Sequence, residues 1–207
     1  MSLGLIGIKK DMISFYKKNN IIPVTKIKII NNYIIKYIYN NNYKSILIGY
    51  CKKNKINKPT LGIIKKLNIS CSKFKEFKIK KNIKYNIGDK LNLSIFKKNK
   101  YVNITANNKG KGFQGVIKRY NFSGVGGQTH GQHNRLRTTG SIGAGSSPSR
   151  VFKGKKMPGK MGNKKTTIRK LKIYKLDIKN NYLFVKGSIP GFKNKYVIIN
   201  KYKSCIY

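Results

Sequence analysis

A mainly β fold is predicted: a small β-barrel broken by one long, basic, glycine-rich insertion and accompanied by a few short helices. Three observations predict it. Ile, Tyr, Leu and Val recur at strand period along much of the chain, turn residues separate these runs at short intervals, and the apolar pattern stops at residue 107 and resumes near residue 166.

Strand character begins in the stretch from Ile21 to Cys51. Thr25, Ile27 and Ile29 alternate with Val24, Lys26 and Lys28, and two Tyr/Ile-rich runs flank Asn40, Asn41 and Asn42, the composition of a hairpin turn. Pro59 opens a short helix through Ile63 and Ile64; proline suits a first turn because its missing N–H would have no helical partner there. Strands resume from Phe74 to Ile79. Gly88 and Asp89 then turn the chain into Leu91, Leu93 and Ile95 on one face, and Val102, Ile104 and Ala106 alternate next. Inside the insertion one short helix is expected, Val116 to Tyr120. Strands return from Thr166 to Ile178, turn at Asn180 and Asn181, and continue through Tyr182 to Val185 and Val197 to Ile199. Strands on both sides make the insertion internal, so the expected domains are a discontinuous β-domain, 1–106 with 166–207, and the insertion, 107–165. The 14 Tyr and 9 Phe, mostly interleaved with Ile, are expected in the core.

Charge decides the class of partner. The 207 residues carry 47 Lys plus Arg against 4 Asp plus Glu, a formal charge of +43. Between Asp89 and Asp177 there is no carboxylate, yet 21 of the basic residues and 13 of the 20 glycines lie there. Such a stretch can neither cancel its own charge nor build its own core, and nucleic acid is the polyanion that supplies both. An anionic membrane would also attract lysine, but no apolar run is long enough to span one and no basic amphipathic helix is present. The opening residues, Met1 to Ile8, are too short for a signal h-region, so a cytoplasmic protein is expected. Cys51, Cys71 and Cys205 are dispersed and odd in number, and are expected as reduced thiols packed as small apolar groups.

Lys has 42 copies and Arg only 5, Ala 2 and Trp none, the pattern of a drift toward A/T-rich codons and hence of a reduced-genome bacterium or, second, an organelle. All five arginines, Arg119, Arg135, Arg137, Arg150 and Arg169, nevertheless lie between Asp89 and Asp177. Where a point charge suffices the drift would leave Lys, so these sites call for the planar, bidentate guanidinium.

Enzymatic readings fail on the same segment. Gly110-Lys111-Gly112-Phe113-Gln114-Gly115 fits G-x-G-x-x-G, but the ribose-binding acid expected about 20 residues later has no candidate, and Val116 stands where a Walker loop needs Lys. His130 and His133 have no Cys, Asp or Glu near them for a metal site, and are better suited to stacking on or hydrogen-bonding to bases. Ser141, Ser146, Ser147 and Ser149 lack a carboxylate to orient a histidine. No catalytic residue, metal, cofactor or small-molecule substrate is expected.

Longer motifs carry a resemblance. Lys109-Gly110-Lys111-Gly112-Phe113-Gln114-Gly115-Val116-Ile117-Lys118-Arg119, Thr129-His130-Gly131-Gln132-His133-Asn134-Arg135, Gly140-Ser141-Ile142-Gly143 and Arg150-Val151-Phe152-Lys153-Gly154-Lys155-Lys156-Met157 resemble the ribosomal protein L3 family of the large ribosomal subunit. Gly4 to Lys9, Ile22 to Thr25 and Val185 to Gly191 extend it to nearly the whole chain. Asp11 stands where the family usually has Gly, Thr139 where a Pro or small residue is common, and Ser146 where many bacterial members have a methylated Gln.

The resemblance implies a six-stranded translation-protein-type β-barrel and an insertion that threads through large-subunit rRNA toward the peptidyl transferase centre, in a protein that binds early in assembly and touches neighbouring ribosomal proteins. Candidate RNA ligands are Lys109, Lys111, Lys118, Arg119, His130, Gln132, His133, Arg135, Arg137, Arg150, Lys153, Lys155, Lys156, Lys160, Lys164, Lys165 and Arg169. The apex expected nearest the peptidyl transferase centre comprises Gly140, Ser141, Gly143, Ala144, Gly145, Ser146 and Pro148. The alternative is a free-standing architectural protein that coats nucleic acid without a fixed site.

Overall fold

In the computed structural model residues 3–17, 20–40, 43–52, 56–67, 69–79, 85–128, 131 and 133–202 are described. The chain divides into two compact units, Met1–Asn107 with Lys165–Tyr207, and Asn108–Lys164. The first holds strands β1 (Gly4–Lys17), β2 (Asn20–Ile29), β3 (Asn32–Asn40), β4 (Tyr43–Tyr50), β5 (Lys73–Ile79), β6 (Lys90–Leu91) and β7 (Tyr101–Asn107) and helix α1 (Lys58–Ile64). The second holds β8 (Gly112–Gln114), α2 (Val116–Tyr120) and β9 (Gly159–Met161), after which β10 (Lys165–Asp177), β11 (Tyr182–Lys186) and β12 (Tyr196–Lys201) return to the first.

The fold is mainly β, as predicted. Six antiparallel strands close a barrel in the order β1-β12-β7-β10-β11-β2, which leaves none of the six with an unpaired edge. Leu5, Ile27, Val102, Ile104, Leu183, Val185, Val197 and Ile199 are buried in the core. These β-branched and leucyl side chains suit the pleated inner surface of a small barrel. Register shifts in β1 between Lys9 and Met12, and in β10 between Ile168 and Leu171, are bulges that let long strands bend around it.

Residues 32–91 depart from the expectation of a single barrel domain: β5-β4-β3-β6 form a separate four-stranded sheet. Its Ile34, Ile46, Ile48 and Phe77 join the barrel residues in one core, while Ile35, Ile64 and Cys71 make a second cluster beside α1. Asn32 joins the two sheets. Its side chain accepts from the Ile6 amide at 3.0 Å and donates to the Ile6 and Ile30 carbonyls at 3.1 and 2.7 Å, satisfying a buried amide where the chain crosses between sheets. Covering β1 on both sides buries Leu3, Leu5 and Ile6 together, which erases alternation. Periodicity alone therefore did not reveal that strand.

Three further expectations are corrected. Leu93 to Phe96 form a 3-10 turn instead of a strand, and its three-residue repeat buries Leu93 and Phe96 while Ile95 is half-buried. No tyrosine among the described residues is buried, and Phe77, Phe96 and Phe184 are the only buried phenylalanines among them. A phenol needs a polar partner for its hydroxyl, so Tyr37, Tyr50, Tyr85 and Tyr196 pack half-buried against the margin of the core while Ile, Leu and Val fill its interior. Cys71 packs as an apolar group, and burial pushes its thiol up, but Cys51 is half-exposed and receives a hydrogen bond from the Tyr196 hydroxyl at 2.9 Å. That bond, with burial second, pushes the Tyr196 phenol up to about 12. Asn41 and Asn42 of the predicted hairpin turn, and Cys205, lie outside the described residues; β3 and β4 pair as far as Asn40 and Tyr43. No helix among the described residues is long and apolar enough to cross a membrane.

Candidate nucleic-acid interface

The Asn108–Lys164 unit begins and ends beside itself. The Asn108 amide donates to the Lys164 carbonyl and the Lys164 amide to Asn108 Oδ1, both at 2.9 Å, so its two termini are cross-linked by backbone and side chain. Lys111 N donates to Met161 O at 2.9 Å and β8 pairs with β9 from Gly112↔Met161 to Gln114↔Gly159. Gly162 is required here twice over. Its φ is +79°, and a Cβ would collide with the Lys109 carbonyl oxygen.

After β8, α2 buries Val116, the single buried residue of this unit among those described. Asn121 ends the helix in the left-handed region, φ 59°. Arg119 is half-buried: Nη1 donates to the Met157 carbonyl at 2.6 Å, and its guanidinium lies 4.9 Å from the Tyr120 ring centre. A Cβ on Gly159 would approach Arg119 Nη1 to 2.5 Å, so the glycine leaves the space the guanidinium fills. Arg119, predicted as an RNA ligand, thus also ties α2 to the chain entering β9. No motif or spacing signals that partner.

Between these elements the backbone supports itself by short-range bonds. Val125 N donates to Leu136 O at 3.3 Å, and Thr138 Oγ1 donates to Arg135 O at 3.0 Å. At the apex Ser141 Oγ donates to Gly143 O at 3.0 Å, Gly140 and Gly145 take φ of 76° and 96°, Ser149 takes 54°, and the Ser147–Pro148 peptide is cis. Every residue from Ser141 to Lys156 is exposed, which includes Gly143, Ala144, Gly145, Ser146 and Pro148.

Of the predicted RNA ligands, Lys109, Lys111, Lys118, His133, Arg135, Arg137, Arg150, Lys153, Lys155, Lys156, Lys160 and Lys164 are exposed on this unit. Lys165 and Arg169 are exposed on β10 of the first unit, while His130 and Gln132 lie outside the described residues. No carboxylate belongs to the second unit. Of the four in the chain, Asp11 pairs with Lys193, Asp89 accepts from the Asn86 amide, Asp177 closes the β10–β11 turn and Glu76 lies on β5. The Lys193 hydrogen bond holds Asp11 below the usual carboxylate range, and the bonds from Asn180 do the same for Asp177. Asp89 and Asp177 thus serve turns and Asp11 one ion pair, and two unit charges ~10 Å apart in water still repel by ~0.4 kcal/mol, summed over many pairs.

Phe113 is 75% exposed and Phe152 57% exposed, with Arg150 standing 5.5 Å from the Phe152 ring centre. Sequence reasoning passed over both; large apolar residues inside a segment without a core were the available signal. Among the described residues no group of His, Cys, Asp and Glu could hold a metal ion.

A closed β-barrel unit joined to a carboxylate-free unit with one buried residue among those described, and with most of its cations exposed, defines the class: mainly β proteins with a long, basic, core-poor insertion. The chain belongs to the ribosomal protein L3 family, whose family model, described as Ribosomal protein L3, matches residues 62–178. Among curated relatives, the large ribosomal subunit protein uL3 of Buchnera aphidicola subsp. Cinara cedri is 43% identical over 195 residues, covering 91% of this chain and 93% of that protein. The uL3 of Thermosipho africanus is 39% identical over 202 residues, 96% of this chain and 98% of that protein, and that of Borrelia hermsii 43% over 210 residues, 97% and 98%.

Proposed function

We propose that this chain is a structural constituent of the large ribosomal subunit that binds large-subunit rRNA directly, mainly through residues 107–165, and contributes no catalytic group. The observation that carries the reading is the Asn108–Lys164 unit itself: one buried residue among those described, no carboxylate, and exposed cations along its length. Ordering so many residues without a core leaves their conformational entropy unopposed, and packing against RNA supplies the missing burial and the counter-charge. In this reading the protein acts in the cytoplasm, within the ribosome. It binds early in assembly, adjoins other large-subunit proteins, and sets its Gly140–Arg150 apex among rRNA bases near the peptidyl transferase centre. The names of the relatives and the motifs shared with the family support it, and the A/T-driven composition supports a reduced-genome bacterium as the source.

Salt dependence tests it. Each neutralised phosphate in a duplex contributes about −0.9 to the slope of log affinity against log salt, so ~8 contacts give a slope near −7. A slope shallower than about −3 for specific rRNA binding would mean that phosphate contacts do not dominate the affinity. Sedimentation separates the coating alternative: a subunit constituent stays with large subunits through a moderate salt wash, whereas a coating protein is released.

A further inference from the structure

We propose that the hairpin end of the four-stranded sheet is a second RNA-binding surface, a stacking platform for a single-stranded RNA segment. It lies wholly on the first unit, and it rests on the reading above only in that RNA is at hand. Tyr37 starts the platform. Its ring is half-buried and its hydroxyl donates to the Tyr85 carbonyl at 2.6 Å, which fixes it. Two residues on, and so on the same face of β3, the Tyr39 ring stacks beside it with centres 6.3 Å apart and planes 20° from parallel.

Tyr39 is 69% exposed, so this short stack ends in solvent with an aromatic surface uncovered. Lys44, directly across the ladder from Tyr39 and so on the same face, holds its ammonium 5.7 Å from that ring centre, whereas Tyr43 and Lys78 belong to the opposite face of the sheet. The Tyr37–Tyr39 stack and the Lys44 ammonium are thus set side by side on strands whose register is fixed by pairing.

Burial does not account for the Tyr39 ring. Ile34, Ile46 and Ile48 fill the interior of the sheet, and a ring left mostly in water adds little to burial. Bases of any identity stack on such rings, because every base has a π-face, while lysines beside the rings take the phosphates. The partner's charge follows from the strands: β3, β4 and β5 carry Lys36, Lys44, Lys73, Lys75 and Lys78 against Glu76 alone. A partner that is both polyanionic and rich in flat aromatic groups is nucleic acid, and unpaired RNA exposes the bases that stacking needs.

The experiment is ultraviolet cross-linking of large subunits assembled with the full chain, followed by mass spectrometry of nucleotide adducts. Adducts at Tyr39, alongside adducts within residues 109–160, are expected. Adducts within 109–160 alone would overturn the platform and leave the proposed function standing, whereas their absence everywhere would remove both. Amine cross-links from Lys44 to another protein, in place of RNA adducts, would assign this face of the hairpin to a protein neighbour and overturn the inference. A second measurement uses the free chain and a single-stranded oligouridylate. Tyr39→Leu keeps charge and an apolar side chain but removes the ring, and about tenfold weaker binding is expected, with Tyr39→Phe unchanged. Equal affinity for Tyr39→Leu and the parent chain would refute stacking there.

Discussion

At the scale of single residues, arginine does two different jobs in the carboxylate-free segment. Arg119 commits one nitrogen to the Met157 carbonyl and lays its plane near Tyr120, whereas Arg137 and Arg150 are exposed. Lysine can keep the charge at all three sites but cannot reproduce the flat fork. Arg119→Lys should therefore loosen the chain around Met157 to Met161 in the free protein, costing about 1 kcal/mol for the lost hydrogen bond, and amide exchange there should accelerate before RNA is added. Arg137→Lys and Arg150→Lys should leave exchange in the free protein unchanged and instead weaken rRNA binding by ~1–3 kcal/mol, provided each meets phosphate or a guanine edge bidentately. Equal behaviour of all three variants in both assays would refute this division of roles, and equal tolerance of lysine at every site would make the clustering of arginines accidental.

Among elements, the contrast is between strands held by a shared core and a segment held by local bonds. The barrel strands bury Leu5, Ile27, Ile104, Leu183 and Ile199 completely, while residues 133–138 and 140–156 are exposed throughout. Limited trypsin treatment of the free protein should cut first after Arg135, Arg137 or Arg150. First cleavage within β2 to β4 or in β10 to β11 would contradict the division of stability between the two units. Strands β2 to β5, β7 and β10 to β12 and both α-helices were legible in the sequence, since residues such as Val102, Ile104 and Ala106 alternate and Pro59 marks α1, whereas the three-residue strands β8 and β9 inside the insertion carry no period to read. Hidden from it were features fixed by partners distant in sequence. Two-sided burial masked β1, closure of a separate sheet by β3 to β6 depends on ladders such as Asn32↔Leu91, and Arg119's carbonyl partner lies 38 residues away. The candidate site was easier to read because charge and glycine content are composition, which needs no tertiary information.

On the scale of the whole molecule, the proposed role assigns rigidity to the barrel and adaptability to the apex, and chemistry to neither. From Gly140 to Arg150 there is no carboxylate and no histidine, hence no general acid or base for neutral pH. What the apex offers is shape. Gly140 and Gly145 adopt backbone angles that other residues resist, and Gly143, Ala144 and Ser146 are small enough for bases to approach closely. In open solvent there is room at Gly143, where an added Cβ would meet nothing nearer than the Arg150 carbonyl at 3.8 Å. Gly143→Trp should therefore be tolerated by the free protein, and its effect should be confined to the assembled particle. There the indole would displace adjacent rRNA bases and change sensitivity to drugs of the peptidyl transferase centre. Ser146→Ala and Ser147→Ala remove a hydroxyl without adding bulk, and peptidyl-transfer rates should stay close to those of the parent. Comparing transfer rate and drug footprint for ribosomes carrying each variant decides the matter. Loss of transfer in either serine variant, with subunits assembling normally, would replace an architectural apex with one that takes part in the reaction.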